Sequence, residues 1–183
     1  WLGAAGYWVC WKTLFSSRLW GSWLPTFEHE LTHAVFAWLT LHRVTEFRTR
    51  YSTGGHVAYV GGVGNWLITI APYFFPTAVF AAMLVMELFP GVDAELYWLG
   101  FGAVCGFQAQ STLSETRSEQ PDILKTGRLF AVLFLPGANM AVYGGVASWM
   151  LGGWPRLHSF TRHVAAEFTG DLRLYADLAG LQI

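Results

Sequence analysis

Long apolar stretches separated by short polar segments dominate the pattern of this chain. Three runs contain no Asp, Glu, Lys or Arg: residues 61–86, 96–114 and 129–155. A helix needs about 20 apolar residues to cross a hydrocarbon core of about 30 Å, and each run is long enough to do so. The pattern therefore predicts an all-α polytopic membrane protein with about four to five transmembrane or membrane-embedded helices.

The segments before the first uncharged run predict further elements. Residues 1–20 are typical of a helix, and a second helix is expected over residues 26–42. Residues 43–60 alternate β-branched and aromatic side chains, and Gly54-Gly55 indicates a turn. This segment therefore predicts a short β-hairpin.

Prolines and charges subdivide the middle of the chain. Residues 61–89 contain Pro72 and Pro76, so this helical stretch is expected to be kinked or broken. A further helix is expected over residues 96–110. The polar segment that follows, residues 111–128, is expected to be a loop.

The C-terminal third predicts one more spanning helix and a tail. The helix is expected over residues 129–151, with a bend at Pro136-Gly137. Residues 153–183 are amphipathic and are expected to lie on the membrane surface or to dock on a partner. No internal repeat or second domain is visible, so residues 1–183 are expected to form a single membrane-embedded domain.

Composition and charge agree with a membrane protein. The chain is 54% hydrophobic and only 13% charged, against about 25% charged for a typical soluble domain. Its net charge of −1, together with the lack of a Lys/Arg cluster, argues against a nucleic-acid partner. The positive-inside rule places the basic residues of segments 43–50 and 117–128 on the cytoplasmic side and Asp93 on the other.

The most specific chemical signal is the HExxH motif formed by His29, Glu30 and His33. Two histidines four residues apart project from the same side of a helix, so both imidazoles can reach one metal ion. The glutamate between them lies where it can take a proton from a metal-bound water. The motif predicts a Zn²⁺ site with Glu30 as the catalytic base.

A catalytic zinc normally takes a third protein ligand. The candidates along the chain are Asp122, His56, Glu115, Glu119 and Asp93. If the helix over residues 26–42, about 25 Å long, and the next two runs each crossed the membrane once, Asp93 or Glu95 would lie on the side of His29. If the HExxH helix enters only partway, Asp122 can reach the ion instead.

The arrangement of the motifs resembles the site-2 protease family of intramembrane zinc metalloproteases, particularly its small members with a minimal core. The resemblance lies in four short segments: His29-Glu30-Leu31-Thr32-His33-Ala34, Gly54-Gly55-His56-Val57, Asn65-Trp66 and Ala71-Pro72. It implies an HExxH helix that enters the membrane partway from the cytoplasmic face, with the hairpin beside it. It also implies that Asp122 is the third ligand, although Ile123 stands where the family has a glycine. The alternative role for Asp122 is the N-cap of the last helix.

The resemblance also suggests residues that contact the substrate. In this family an extended segment near the zinc pairs with the substrate as an added strand. His56 is expected to line that cleft, the alternative being an ordinary exposed loop histidine. Asn65 and Asn139 lie within apolar runs and are expected either to orient the substrate or to form hydrogen bonds between helices.

These inferences converge on an intramembrane zinc metalloprotease that hydrolyses a peptide bond of a membrane-spanning substrate. The alternative is a non-catalytic, protease-like scaffold subunit of a larger membrane complex. The expected partners are membrane lipid and a transmembrane protein substrate or partner subunits. The expected location is a bacterial inner membrane, with the active site toward the cytoplasm.

Overall fold

The computed structural model describes residues 1–10, 23–50, 54–61, 64–116 and 120–178. The chain is mostly helical and contains one two-stranded antiparallel hairpin. It divides into two compact units, Trp1–Val132 and Leu133–Ile183. The candidate site lies entirely in the first unit. The expectation of a single domain stays a prediction.

Among its described residues, the first unit contains six α-helices, the hairpin and the start of a seventh helix. The helices are α1 (Leu2–Cys10), α2 (Trp23–Leu39), α3 (Trp66–Ile70), α4 (Thr77–Leu88), α5 (Ala94–Glu115) and α6 (Pro121–Thr126). The strands are β1 (Arg43–Arg50) and β2 (Gly54–Val60). Of the N-terminal helix expected over residues 1–20, the part after residue 10 lies outside the described residues.

Helix α2 carries the HExxH motif and begins three residues earlier than expected, with Pro25 in its first turn. Its C-terminus closes with paired hydrogen bonds, in which the Leu41 amide donates to the Trp38 carbonyl and the His42 amide to that of Ala37. This is the Schellman arrangement, which requires a left-handed residue after the helix. Leu41 takes that conformation, with φ of 61°.

The predicted hairpin is confirmed, but its predicted turn is wrong. Gly54 and Gly55 belong to β2, where they pair with Arg50 and Thr49 of β1. The connection between the strands falls in residues 51–53, outside the described residues. Because Gly55 is part of the strand, its missing side chain needs another explanation, which the site provides.

The break predicted for residues 61–89 is confirmed. After α3, a 3-10 turn over Ala71–Tyr73 leads into α4, and the two halves meet at 79°. Pro72 lies in the 3-10 turn and Pro76 directly precedes α4. Both prolines therefore stand where a continuous helix would need a backbone N–H that proline lacks.

Helix α5 is longer than expected, and α1 packs closely against it. Gly3 of α1 faces the Leu99 carbonyl, where any Cβ atom would overlap the backbone. Gly102 and Gly106 on α5 face the backbone of Ala4, which would lie 3.2 Å from a Cβ atom at either position, a tight contact. Small residues four apart that let two helix backbones touch are typical of helix pairs in membranes.

The expectation of a loop over residues 111–128 is wrong in two respects. Helix α5 continues to Glu115, and α6 forms over Pro121–Thr126. Pro121 suits the first turn of α6, because its missing N–H has no partner there in any case. Asp122 lies inside α6, whose N-cap is Gln120, and the last helix begins only at Arg128. The alternative role of Asp122 as the N-cap of the last helix is therefore wrong.

The second unit consists of the greater part of the last helix, α7 (Arg128–Leu178). Its non-helical residues are Gly152 and Gly153, so the helix breaks there. The bend expected at Pro136-Gly137 stays a prediction. After the break, Leu157 and Phe160 lie against Gly145 and Gly144. The helix therefore folds back along itself.

One described helix segment, Arg128–Asp171, is long and apolar enough to cross a membrane. The bent pair Trp66–Tyr73 and Thr77–Leu88 passes the same test only when taken together. Helix α2 is not among these segments. The number of membrane crossings stays a prediction.

Candidate metal centre

Helix α2 brings the two motif histidines together on one side, as their spacing predicts. The Nε2 atoms of His29 and His33 lie 3.2 Å apart. Both side chains are largely shielded from solvent, and Tyr73 lies edge-on against the His29 ring. The two imidazole nitrogens therefore point toward a common position.

Asp122 completes a group of three donor atoms. Its Oδ2 atom lies 3.5 Å from Nε2 of His29 and 3.4 Å from Nε2 of His33. Among the described residues, His29, His33 and Asp122 are the group of His, Cys, Asp or Glu side chains that could hold a metal ion. Helix α6 makes this possible, because it carries Asp122 to the HExxH face of α2.

The dimensions of this triangle fit zinc. Zinc–nitrogen and zinc–oxygen bonds of about 2.0–2.2 Å in a tetrahedron separate neighbouring ligands by about 3.3–3.5 Å. The observed sides of the triangle are 3.2, 3.4 and 3.5 Å. The three donors thus match one face of a tetrahedron, and the fourth corner remains for a water molecule or a substrate.

A backbone carbonyl fixes the orientation of His33. Its Nδ1 atom lies 2.7 Å from the Ile68 carbonyl oxygen in α3. A carbonyl only accepts, so Nδ1 carries the proton and the Nε2 lone pair faces the triangle. Helix α3 is itself fixed at its N-terminus by Asn65, whose side chain accepts a hydrogen bond from the Leu67 amide.

The carboxyl group of Asp122 suits a cation site. Burial by itself would raise its pKa, but contacts with His29 and His33 outweigh burial and hold the pKa well below its usual range. Its second oxygen, Oδ1, lies 3.5 Å from Nζ of Lys125. Lys125 is mostly exposed, so this pair contributes little to stability.

Glu30 lies beside the triangle and is buried, with 8% of its surface exposed. Burial raises the pKa of its carboxyl group, whereas the neighbouring His33 and His29 oppose that rise. A carboxyl group whose pKa moves toward neutrality is better suited to exchange protons near neutral pH. Glu30 is therefore a buried acid beside the two histidines, and its role as a base stays a prediction.

The triangle and Glu30 open into a cavity of about 440 Å³. Its walls come from α2, β2, α3 and α6, and its lining includes His56, Tyr59, Thr69, Gln120 and Lys125. His56 is therefore part of the cavity wall, and a substrate contact by it stays a prediction. Sequence reasoning overlooked Lys125 and the Ile68 carbonyl, which have no motif signal.

The remaining predicted site residues lie elsewhere. Asn65 caps α3 and is not among the residues that line the cavity. Asn139 belongs to the second unit, where its amide donates to the Leu135 carbonyl. A substrate contact by either residue stays a prediction.

The other acidic candidates for the third ligand are not found beside the two histidines among the described residues. Asp93 is the N-cap of α5, where its side chain accepts a hydrogen bond from the Leu96 amide. It is not part of the three-residue group, so the structure brings Asp122, and not Asp93, to the two histidines. Glu119 and the side chain of Glu115 lie outside the described residues.

The side of α2 that faces away from the cavity carries a second polar cluster. The Thr32 hydroxyl lies 2.6 Å from that of Thr77 and donates to the Glu28 carbonyl. The Glu28 carboxylate also accepts from Thr32 and from Gln108. Burial raises the pKa of Glu28 to about 7, against the opposing effect of these hydrogen bonds.

A comparison with known proteins agrees with this geometry. A family model described as Peptidase M50B-like matches residues 2–109, which is more than half of the chain. The chain belongs to this family. The resemblance to the site-2 proteases is thereby confirmed. Neither the comparison with curated proteins nor that with solved structures gave a match.

The family match and the structure contribute different parts of the site. Residues 2–109 include α2 with His29, Glu30 and His33, but they end before α6. Asp122 is thus joined to the M50B-like segment by the tertiary structure alone.

Proposed function

We propose that the protein is an intramembrane zinc metalloprotease that hydrolyses a peptide bond of a membrane-spanning substrate. The observation that carries the proposal is the triangle of donor atoms from His29, His33 and Asp122. The distances between these atoms match those between the ligands of a tetrahedral zinc ion, and Glu30 lies beside them. Membership of a peptidase family supports the same reaction.

His29, His33 and Asp122 would hold the ion in this mechanism. A zinc ion so held acidifies a water molecule to a pKa of about 7 and polarises a carbonyl group. The two imidazoles bind in their neutral form, and the carboxylate lowers the net positive charge. The Ile68 carbonyl keeps the His33 ring in the required tautomer.

Glu30 moves the protons. Its carboxylate accepts a proton from the attacking water and then donates it to the amine that leaves. Glu30 is buried among the walls of the cavity, which limits competition from bulk water. An acceptor with this role needs no contact with the ion itself.

The proposed reaction requires an extended substrate segment and not an intact helix. In a helix every interior peptide group is hydrogen-bonded, so a membrane-spanning substrate must unwind before its carbonyl can be attacked. Strand β2 and His56 form one wall of the cavity and would contact the unwound segment. The partners we propose are therefore membrane lipid and a transmembrane protein.

The proposed location is a bacterial inner membrane, with the cavity toward the cytoplasmic side. The support for this orientation is the position of Arg43 and Arg48 on β1 and of Lys125 on α6, which lines the cavity. Basic residues beside spanning segments favour the cytoplasmic face.

The test compares wild type with Glu30→Gln at matched zinc content in reconstituted liposomes. The readout is cleavage of a membrane-spanning reporter. We expect Glu30→Gln to keep its zinc and to lose about a hundredfold to ten-thousandfold in rate, the usual contribution of a general base.

Two outcomes would contradict the proposal. Equal cleavage by both proteins would mean that another base or a contaminant acts. A wild type that cleaves no reporter, together with normal cellular function of Glu30→Gln, would favour the non-catalytic scaffold.

A further inference from the structure

A close contact joins the hairpin to the proposed base. Gly55 lies in β2 opposite Thr49 and lines the same cavity as Glu30. A Cβ atom on Gly55 would overlap Cγ of Glu30 and would lie 2.5 Å from its Oε1 and 2.6 Å from its Cδ. Non-bonded carbon atoms pack at about 3.5–4.0 Å. No side chain at position 55 therefore fits while Glu30 keeps its place.

The contact is specific to the side chain of Glu30. All three of the atoms nearest to that Cβ position belong to Glu30, and none belongs to the backbone of α2. A glycine inside a strand normally weakens it, because glycine packs nothing and loses more entropy on folding. Gly55 is thus unfavourable for the hairpin by itself, and the close approach of Glu30 explains its presence.

We propose that Gly55 is a positioning residue for the base. Its missing side chain lets the backbone of β2 form the wall on which the Glu30 carboxylate rests, so the docking of the hairpin sets the direction of that carboxylate. This inference rests on the proposed function, in which Glu30 moves the protons. Position 55 contributes no donor to the triangle of His29, His33 and Asp122, so we expect a change there to leave metal binding intact.

The first experiment measures the contact without any substrate. Wild type, Gly55→Ala, Glu30→Ala and the double variant are unfolded by heat in detergent. We expect Gly55→Ala to lower the Tm when Glu30 is present and to lower it much less when residue 30 is alanine, which has no Cγ atom. Such a difference is a coupling between the two positions.

The same cycle can overturn the proposal. An equal loss of Tm in both backgrounds would mean that alanine disturbs the strand independently of Glu30. If Gly55→Ala fails to fold, a folded double variant supports the contact, and a double variant that also fails to fold contradicts it.

The second experiment measures turnover and zinc content of Gly55→Ala. A displacement of about 1 Å in a catalytic group can cost about a hundredfold, so we expect kcat to fall by about that factor, with KM and zinc content close to wild type. The matched control is Gly100→Ala on α5, where a Cβ atom meets nothing within 4 Å. It should leave kcat unchanged.

The outcomes separate this inference from the proposed function. An unchanged kcat in Gly55→Ala, with an active wild type, would overturn the positioning role. An inactive wild type would contradict the proposed function alone, because the unfolding cycle still decides whether Gly55 fixes the position of Glu30.

Discussion

The two sides of helix α2 carry similar residues in opposite environments. On the cavity side, His29 and His33 lie 3.5 and 3.4 Å from Asp122, and Glu30 lines the same cavity. On the other side, Glu28 and Thr32 are buried against α4 and α5, and their polar atoms bind one another, Thr77 and Gln108. The first set is arranged around a position for a ligand, whereas the polar atoms of the second set form hydrogen bonds within their own cluster.

The comparison between Glu28 and Glu30 shows how environment decides a role. Both are buried, and both have a raised pKa whose largest cause is burial. Glu28 accepts hydrogen bonds from its neighbours and is not among the residues that line the cavity, whereas Glu30 is. A raised pKa therefore does not distinguish the two glutamates, whereas the position of Glu30 in the cavity wall does.

The largest effect should come from the ligands on the cavity side. His33→Ala or Asp122→Ala should weaken zinc binding by more than about a hundredfold, since even the loss of an outer hydrogen bond costs about tenfold to a hundredfold. Thr32→Val, one residue from His33 but on the other side, should keep its zinc. Metal analysis of the purified variants checks this. Full zinc occupancy in Asp122→Ala would remove Asp122 from the site.

The next largest effect is a difference in cleavage rate between substitutions of the two glutamates. Glu30→Gln should lose about a hundredfold to ten-thousandfold in cleavage rate, whereas Glu28→Gln should stay within a few-fold of wild type. Glutamine can still accept the hydrogen bonds that Glu28 receives from Thr32 and Gln108. Reporter cleavage at matched zinc content measures both. A large loss in Glu28→Gln would show that the two sides are functionally coupled.

A smaller effect is expected within the buried cluster. Thr77→Val removes the hydroxyl that lies 2.6 Å from that of Thr32, which should cost about 1 kcal/mol of stability. The zinc content should not change, because Thr77 belongs to the side away from the cavity. The control is Thr45→Val, whose hydroxyl is exposed and donates to the Ala58 carbonyl. Denaturation of both variants in detergent gives the difference, and an equal stability loss would argue against a special role of the cluster.

The smallest expected effect is a gain in stability at a residue that belongs to neither side of α2. Leu41 follows the helix at φ of 61° and its side chain is exposed, so Leu41→Gly should relieve strain at little cost in packing. We expect a gain of about 0.5–1 kcal/mol, with zinc content and cleavage rate unchanged. A rise in Tm checks it. A fall would mean that the Leu41 side chain makes a contact that matters more than its backbone strain.

Much of the fold followed from local patterns, and the errors have local explanations as well. The hairpin and the break at Pro72 and Pro76 were predictable, because alternation and proline act on nearby backbone. The turn at Gly54-Gly55 was misassigned, since glycine marks either a turn or a close approach and the sequence does not say which. Helix α6 was also overlooked, because six residues in a polar segment carry too weak a signal.

The sequence by itself determined the spacing of the two histidines, the glutamate between them and the membership of a peptidase family. These depend on helical periodicity over five residues, which is a local property. Only the tertiary structure decided between Asp93 and Asp122, because that choice depends on how α6 returns to α2 across some ninety residues of chain. The same is true of the contact between Gly55 and Glu30. It exists because the hairpin folds onto α2, and no spacing along the chain encodes that distance.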